Sequence, residues 1–320
     1  MSESTDQSNG KSPGSSQPKD TNKEGIPPKS PHGQGDHGDV SNKVKEKPKS
    51  LYIRILRQDS PEDASYWERH TITYEPELNM TTVLQRVAAQ AKTADGKDVT
   101  PVAYDVNCLE EICGSCTMLI NGRVRQACST LVDNLLQENA EEIVLEPMSK
   151  FPVIRDLFVD RSRMFHALKK IQGWINVDGY WDAGEGPKQS PAEQQDRYPL
   201  SQCMTCGCCL EACPQYTKIE VERGEGESDE AYEDRCREAY SKGFLGAAAI
   251  SQVVLFNLHP TGKMRAGERL DALSSEGGLQ VCGNAQNCVS VCPKSIPLTT
   301  SIGRAGRATT VHAIKRFFGF

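Results

Sequence analysis

Cys203-Met-Thr-Cys206-Gly-Cys208-Cys209-Leu-Glu-Ala-Cys213-Pro214 is the stretch from which the fold is read. A weaker echo follows: Cys282-Gly-Asn-Ala285-Gln-Asn-Cys288-Val-Ser-Val-Cys292-Pro293. The bacterial ferredoxin spacing is C-x2-C-x2-C-x3-C-P, and its fourth cysteine ligates the other cluster. The first run fits in full, with Cys208 as an extra. The second fits except that Ala285 stands where a cysteine belongs. By the exchange rule, Cys203, Cys206, Cys209 and Cys292 hold one cluster, which is enough for [4Fe-4S]. Cys213, Cys282 and Cys288 hold the other. Three thiolates point to [3Fe-4S]; a four-iron cube with water or another residue on its last iron is the alternative.

Upstream lies Cys108-x4-Cys113-x2-Cys116 with Cys128 beyond it. This is the plant-type [2Fe-2S] pattern. Gly114 lets the loop turn sharply and aim amides at sulfur, and those N–H groups stabilise the reduced cluster. Asn121-Gly122 is a two-residue hairpin signal, and a hairpin over 117–125 carries Cys128 back to its partners. Structural zinc is the competing reading, but it favours two short cysteine pairs. Here three cysteines crowd one loop and the fourth stands alone.

Around these runs the chain divides. Residues 1–49 lack aromatic side chains and are rich in Ser, Gly, Pro, Lys and Asp. Such a segment cannot offset its ordering entropy, so a disordered tail is expected. Leu51, Ile53 and Ile55 alternate as in a strand. A second strand is expected over 71–74, a helix over 82–91 with Val83, Leu84 and Val87 on one face, and a strand over 142–145. Residues 50–148 therefore read as a β-grasp ferredoxin domain. Residues 149–320 read as all-α: a helix capped by Ser162, a long surface connection over 173–199, and an insertion over 220–243. In that insertion Tyr232, Cys236 and Tyr240 share one face of a surface helix, with Cys236 as a small buried apolar residue. Helices over 247–258 and 264–273 and a basic, aromatic C-terminus complete it. The fold class is α+β, a plant-type ferredoxin domain followed by a helical bacterial-ferredoxin-like one.

Composition narrows the function. Thirteen cysteines in 320 residues are too sparse for a disulfide scaffold, and the polar N-terminus has no apolar signal-peptide core. A formal charge of −6 argues against nucleic acid as a partner. No apolar run reaches the roughly 18 residues of a membrane span, and no repeat period is visible. Neither G-x-G-x-x-G, a P-loop nor H-E-x-x-H occurs, and His166, His259 and His312 are isolated. The chain reads as an electron wire without a substrate site or catalytic residue of its own.

The three cysteine patterns resemble the iron–sulfur subunit of succinate dehydrogenase and fumarate reductase. The similarity extends through Pro152-Val-Ile-Arg155-Asp156-Leu, Val159-Asp160-Arg161-Ser162-Arg163-Met164-Phe165, His259-Pro260-Thr261-Gly262 and Pro297-Leu-Thr-Thr-Ser301-Ile302. The wording is most similar to the menaquinone-linked branch. The resemblance implies a peripheral subunit on the cytoplasmic face of the cell membrane, working in the tricarboxylic acid cycle. A flavoprotein subunit would carry FAD and the dicarboxylate site, and a cytochrome b-type anchor would carry haem b and deliver electrons to quinone. It implies the same cluster positions as the spacing does. Lys218 and Gly283 stand where ubiquinone-reducing relatives carry tryptophan and histidine, so the resemblance implies menaquinone bound mainly by the anchor. Two alternatives remain: a fumarate reductase subunit working in reverse, and a free ferredoxin-like carrier or redox module.

Overall fold

The computed structural model describes residues 48–138, 142–175 and 187–319. The disordered tail expected over 1–49 lies outside them except for its last two residues, as does the stretch 176–186 of the expected surface connection.

The first half is a five-stranded sheet grasping a helix. Strand β1 (Ser50–Arg57) pairs antiparallel with β2 (Tyr66–Thr73). Helix α1 (Met80–Gln90) begins at Asn79, whose side chain accepts from the Thr82 amide at 2.9 Å, satisfying one orphan N–H. Strands β3 (Thr117–Ile120) and β4 (Arg123–Gln126) form the expected hairpin. Its turn residues Asn121 and Gly122 both take positive φ, 51° and 71°, as a type I′ turn requires. A short α2 (Val132–Gln137) leads to β5 (Glu142–Glu146), which runs parallel to β1 and antiparallel to β3. The strand order is β2-β1-β5-β3-β4. Parallel pairing demands a long crossover, and the cysteine loop at 108–116 is part of it. Leu51, Ile53 and Ile55 are buried against Val83, Leu84 and Val87 of α1 in one core.

A two-stranded ribbon, β6 (Val153–Arg155) with β7 (Phe158–Val159), follows the sheet. At its turn Asp156 reaches into the first core. Arg57, fully buried, donates from Nε to Asp156 at 2.7 Å and from Nη1 to Glu68. The amides of Gln58 and Ala103 also donate to Asp156, at 3.2 and 2.8 Å. Burial pulls the Arg57 guanidinium down, but the Asp156 bond and the charges of Asp156 and Glu68 outweigh it and hold it above its ordinary value.

The second half is helical. It comprises α3 (Ser162–Lys170), α4 (Pro191–Ser201), α5 (Cys208–Glu211), α6 (Asp229–Lys242), α7 (Gly246–Leu258), α8 (Ala266–Ser274), α9 (Asn287–Ser290) and α10 (Leu298–Phe318). Helix α7 is the buried axis, with Ala247, Ala249, Ile250, Val253 and Val254 in the second core. Two expectations need correction. Ser162 is the first residue of α3, not its cap; Arg161 holds the cap position without a side-chain cap bond, and Asp160 before it accepts from the Ser162 amide at 2.7 Å. The surface connection over 173–199 contains α4, started by Ser190 and Glu193 in a reciprocal capping box with Pro191 at the first turn. In the insertion, Cys236 and Tyr240 are buried and Tyr232 partly so, as the shared helix face implied. Among the described residues no single helix is long and apolar enough to cross a membrane.

Candidate electron-transfer site

The loop at 108–116 wraps its own sulfurs. Leu109, Glu111 and Gly114 take positive φ of 61°, 55° and 75°, which turns successive amides inward. Glu110, Ile112 and Cys113 N–H groups donate to Cys108 Sγ at 3.4, 3.3 and 3.3 Å. Ser115 N–H donates to Cys113 Sγ at 3.5 Å, and Cys128 N–H to Cys116 Sγ at 3.5 Å. These bonds link Cys108 with Cys113, and Cys116 with Cys128, at one end of the sheet. Burial pushes the Cys113 thiol up, but the bonds from Ser115 and Cys108 outweigh it and bring the thiol down to about 6. Cys116 is driven to about 12, first by burial. Leu109 and Ile112, 52% and 58% exposed, place apolar side chains on the outer face of this loop.

In the helical half the two runs sort into two cavities. Cys203, Cys206, Cys209 and Cys292 line one, together with the extra Cys208, with Ala248, Ile296 and Leu298 as apolar wall. Cys213, Cys282 and Cys288 line another of about 400 Å³, with Ala285 and Gly283 on its rim. The cysteines expected to exchange between runs, Cys292 and Cys213, each lie in the cavity lined by the other run's cysteines. No fourth thiol, carboxylate or imidazole is among the residues lining the second. Positive φ at Thr205 and Gly207 shapes the first loop, and at Asn284 and Gln286 the second.

Burial, then the neighbouring Cys206, Cys203 and Cys292, pushes the Cys209 thiol well above its ordinary value. Several thiolates in one apolar cavity need a cationic centre to balance them, and iron supplies it. Among the described residues, no three His, Cys, Asp or Glu side chains converge tightly enough for a single ion. The donor sets fit the three clusters.

The cysteine loops meet across a seam that the sequence did not reveal. A Cβ built on Gly114 would lie 2.7 Å from Cys206 Cα, so only glycine allows that approach. Arg161 donates to the carbonyls of Gly114 at 2.7 Å, Ser115 at 2.6 Å and Cys206 at 3.4 Å. Gln126, buried, donates to Cys208 Sγ at 3.4 Å and accepts from Cys116 Sγ at 3.6 Å. Glu211 accepts from the amides of Ser149 and Lys150, each at 3.1 Å. Cys208 is therefore a buried seam residue. Arg161 fell within a stretch quoted for its resemblance, but no spacing rule assigns it a contact.

Of the isolated histidines, His166 is buried beside Glu233, and His312 pairs with Asp271 at 3.0 Å on the surface. Lys218 pairs with Glu220 at 2.5 Å.

Comparison with known proteins agrees with this site. The model of the 2Fe-2S iron-sulfur cluster binding domain matches residues 52–166. The succinate dehydrogenase iron-sulfur subunit of Bacillus subtilis is 46% identical over 271 residues, covering 85% of this chain and 97% of the relative. The fumarate reductase iron-sulfur subunit of Wolinella succinogenes is 28% identical, covering 79% and 94%. Among solved structures, a chain of the Mycobacterium smegmatis Sdh1 complex in the apo form superposes with a TM-score of 0.61 at 21% identity, covering 81% of this chain and 95% of that one. That likeness supports the α+β arrangement of a sheet followed by helices.

Proposed function

The chain belongs to the iron–sulfur subunits of succinate dehydrogenases and fumarate reductases, and from that premise we propose how its residues carry electrons. It is the electron-transfer subunit of a succinate:quinone oxidoreductase and carries [2Fe-2S], [4Fe-4S] and [3Fe-4S] clusters. Cys108, Cys113, Cys116 and Cys128 hold the first; Cys203, Cys206, Cys209 and Cys292 the second; Cys213, Cys282 and Cys288 the third. When bound, the clusters supply one-electron carriers between a two-electron donor and quinone. The observation that supports this reading most is that Cys203, Cys206, Cys209 and Cys292, with the extra Cys208 beside them, line one cavity while Cys213, Cys282 and Cys288 line another.

The chain's own residues do the rest. The inward amides of the 108–116 loop donate to its sulfurs and favour the more negative, reduced state there. The apolar walls around Cys203 and Cys209 exclude water. Gly114 lets the loops approach closely, and Gln126 spans Cys116 and Cys208. The exposed Leu109 and Ile112 mark the face that meets a flavoprotein subunit carrying FAD. The helical half faces a membrane anchor with haem b, on the cytoplasmic side of the cell membrane, and menaquinone is the acceptor. Lys218 and Gly283 leave the quinone to be held mainly by that anchor.

Purification of the complex from native membranes tests this. A flavoprotein and a haem-bearing anchor should co-purify, with succinate-dependent reduction of menaquinone analogues exceeding that of ubiquinone analogues. A brown chain isolated without either partner would favour a free carrier. Faster fumarate reduction than succinate oxidation would assign the reverse working direction.

A further inference from the structure

Arg161 opens α3, yet its guanidinium extends across the seam onto three carbonyls, two on the [2Fe-2S] loop and one on the [4Fe-4S] loop. The side-chain hydrogen bonds of Arg161 all go to these backbone carbonyls. Burial pulls the Arg161 guanidinium below its ordinary value, while the charges of Asp105, then Cys206, Cys208 and Cys116, act to raise it. The charges that face it are thus ligand sulfurs of both clusters and a spare thiol between them. Arginine stays protonated in such a place.

The bond to Gly114 has a further consequence. The carbonyl that accepts from Arg161 at 2.7 Å belongs to the same peptide unit whose N–H, on Ser115, donates to Cys113 Sγ at 3.5 Å. A cation on the oxygen side of a peptide polarises its N–H and strengthens the donor bond beyond. Arg161 therefore acts on the first cluster twice, through space as a positive charge and through the peptide as a better donor. On the second cluster it acts through space and through the Cys206 carbonyl.

We propose that Arg161 is a positioning residue of the electron route: its buried charge holds the two cysteine loops together and raises the reduction potential of the [2Fe-2S] cluster and, less strongly, of the [4Fe-4S] cluster. Each accepted electron adds negative charge beside a fixed cation, so the reduced states gain most. The inference rests on the ligand assignment proposed above.

The test is an EPR-monitored redox titration of the purified complex with Arg161→Met and Arg161→Lys. Arg161→Met should lower the equilibrium constant for reducing the [2Fe-2S] cluster about tenfold, which is about 59 mV for one electron. The [4Fe-4S] midpoint should move the same way by less, and Arg161→Lys should recover most of both shifts. A merely structural arginine would lower the melting temperature and leave both midpoints where they were. Unmoved midpoints in a fully loaded Arg161→Met complex would overturn the proposal, as would equal shifts in the Met and Lys variants. If the Met variant sheds a cluster, Arg161→Gln, which keeps a donor without the charge, is titrated instead against the same expectation. A wild-type complex lacking one of the three EPR signals defeats the ligand assignment rather than the role of Arg161.

Discussion

The 108–116 loop and the two helical enclosures hold sulfur by opposite means. The loop is partly open, with Leu109 and Ile112 exposed, and it surrounds Cys108 with three amide donors. The enclosures are walled by Ala248, Ile296 and Leu298 around one set and by Phe244, Ala247 and Ile302 around the other. Donors and water stabilise added negative charge, whereas apolar burial opposes it. The loop should therefore hold the more easily reduced centre of the [2Fe-2S] and [4Fe-4S] pair. An electron entering there is retained until a higher-potential acceptor draws it on, and the seam keeps the intervening gap small.

The sharpest way to break this comparison is to remove a sulfur from each side. Cys209→Ala removes a buried ligand and leaves Cys203, Cys206 and Cys292 with the extra Cys208 around the cavity, so the [4Fe-4S] cluster and the order of the helical half should both be lost. Cys108→Ala should empty only its loop, because Cys108 itself is outside the sheet core, which is built mainly by Leu51, Ile53 and the α1 face with Cys116 and Cys128 at its edge. Iron analysis with circular dichroism distinguishes the two; equal loss of helix in both would end the contrast.

Next in size is Asp156→Ala, which strands Arg57. Breaking a buried ion pair from one side costs about 3–5 kcal/mol, and Glu68 remains as a second partner, so the lower end is expected. Chemical denaturation should show the first half destabilised. A change under about 1 kcal/mol would mean that Glu68 suffices alone.

Gly114→Ala probes the seam itself. The left-handed backbone costs about 1–2 kcal/mol for a side chain, and the added Cβ meets the Cys206 backbone at 2.7 Å. The loops must part, so electron transfer between the first two clusters should slow in freeze-quench EPR while both clusters stay bound. Unchanged rates would show that the approach is not on the route. At the small end, Cys236→Ala removes a buried thiol from α6, away from every cysteine cavity. It should cost about 1 kcal/mol and leave the iron content untouched.

Much of the fold was legible because its signals are local. Alternation at Leu51, Ile53 and Ile55 gave a strand, and Asn121-Gly122 a hairpin. Helix α4 was hidden by Pro191 and Pro199 and by few apolar residues; Ser190 and Glu193, three apart, were the available sign. The seam was not legible at all. Arg57 meets Asp156 across 99 positions, and Gln126 meets Cys208 across 82. Nothing in residue type announces such pairs, since an arginine that bonds carbonyls looks in sequence like any surface arginine. Candidate ligands can be proposed from sequence because metal chemistry restricts both residue and spacing. The groups that tune those ligands are restricted only by the fold.

Low-temperature EPR of the oxidised, anaerobically prepared complex, with iron counted per chain, tests the central assignment most directly. Ligand sets of four, four and three predict a [3Fe-4S] signal, about nine irons per chain, and conversion of that signal to a four-iron one in Ala285→Cys. An oxidised complex without a [3Fe-4S] signal, or with a wild-type iron count matching three full clusters of two, four and four, would contradict it.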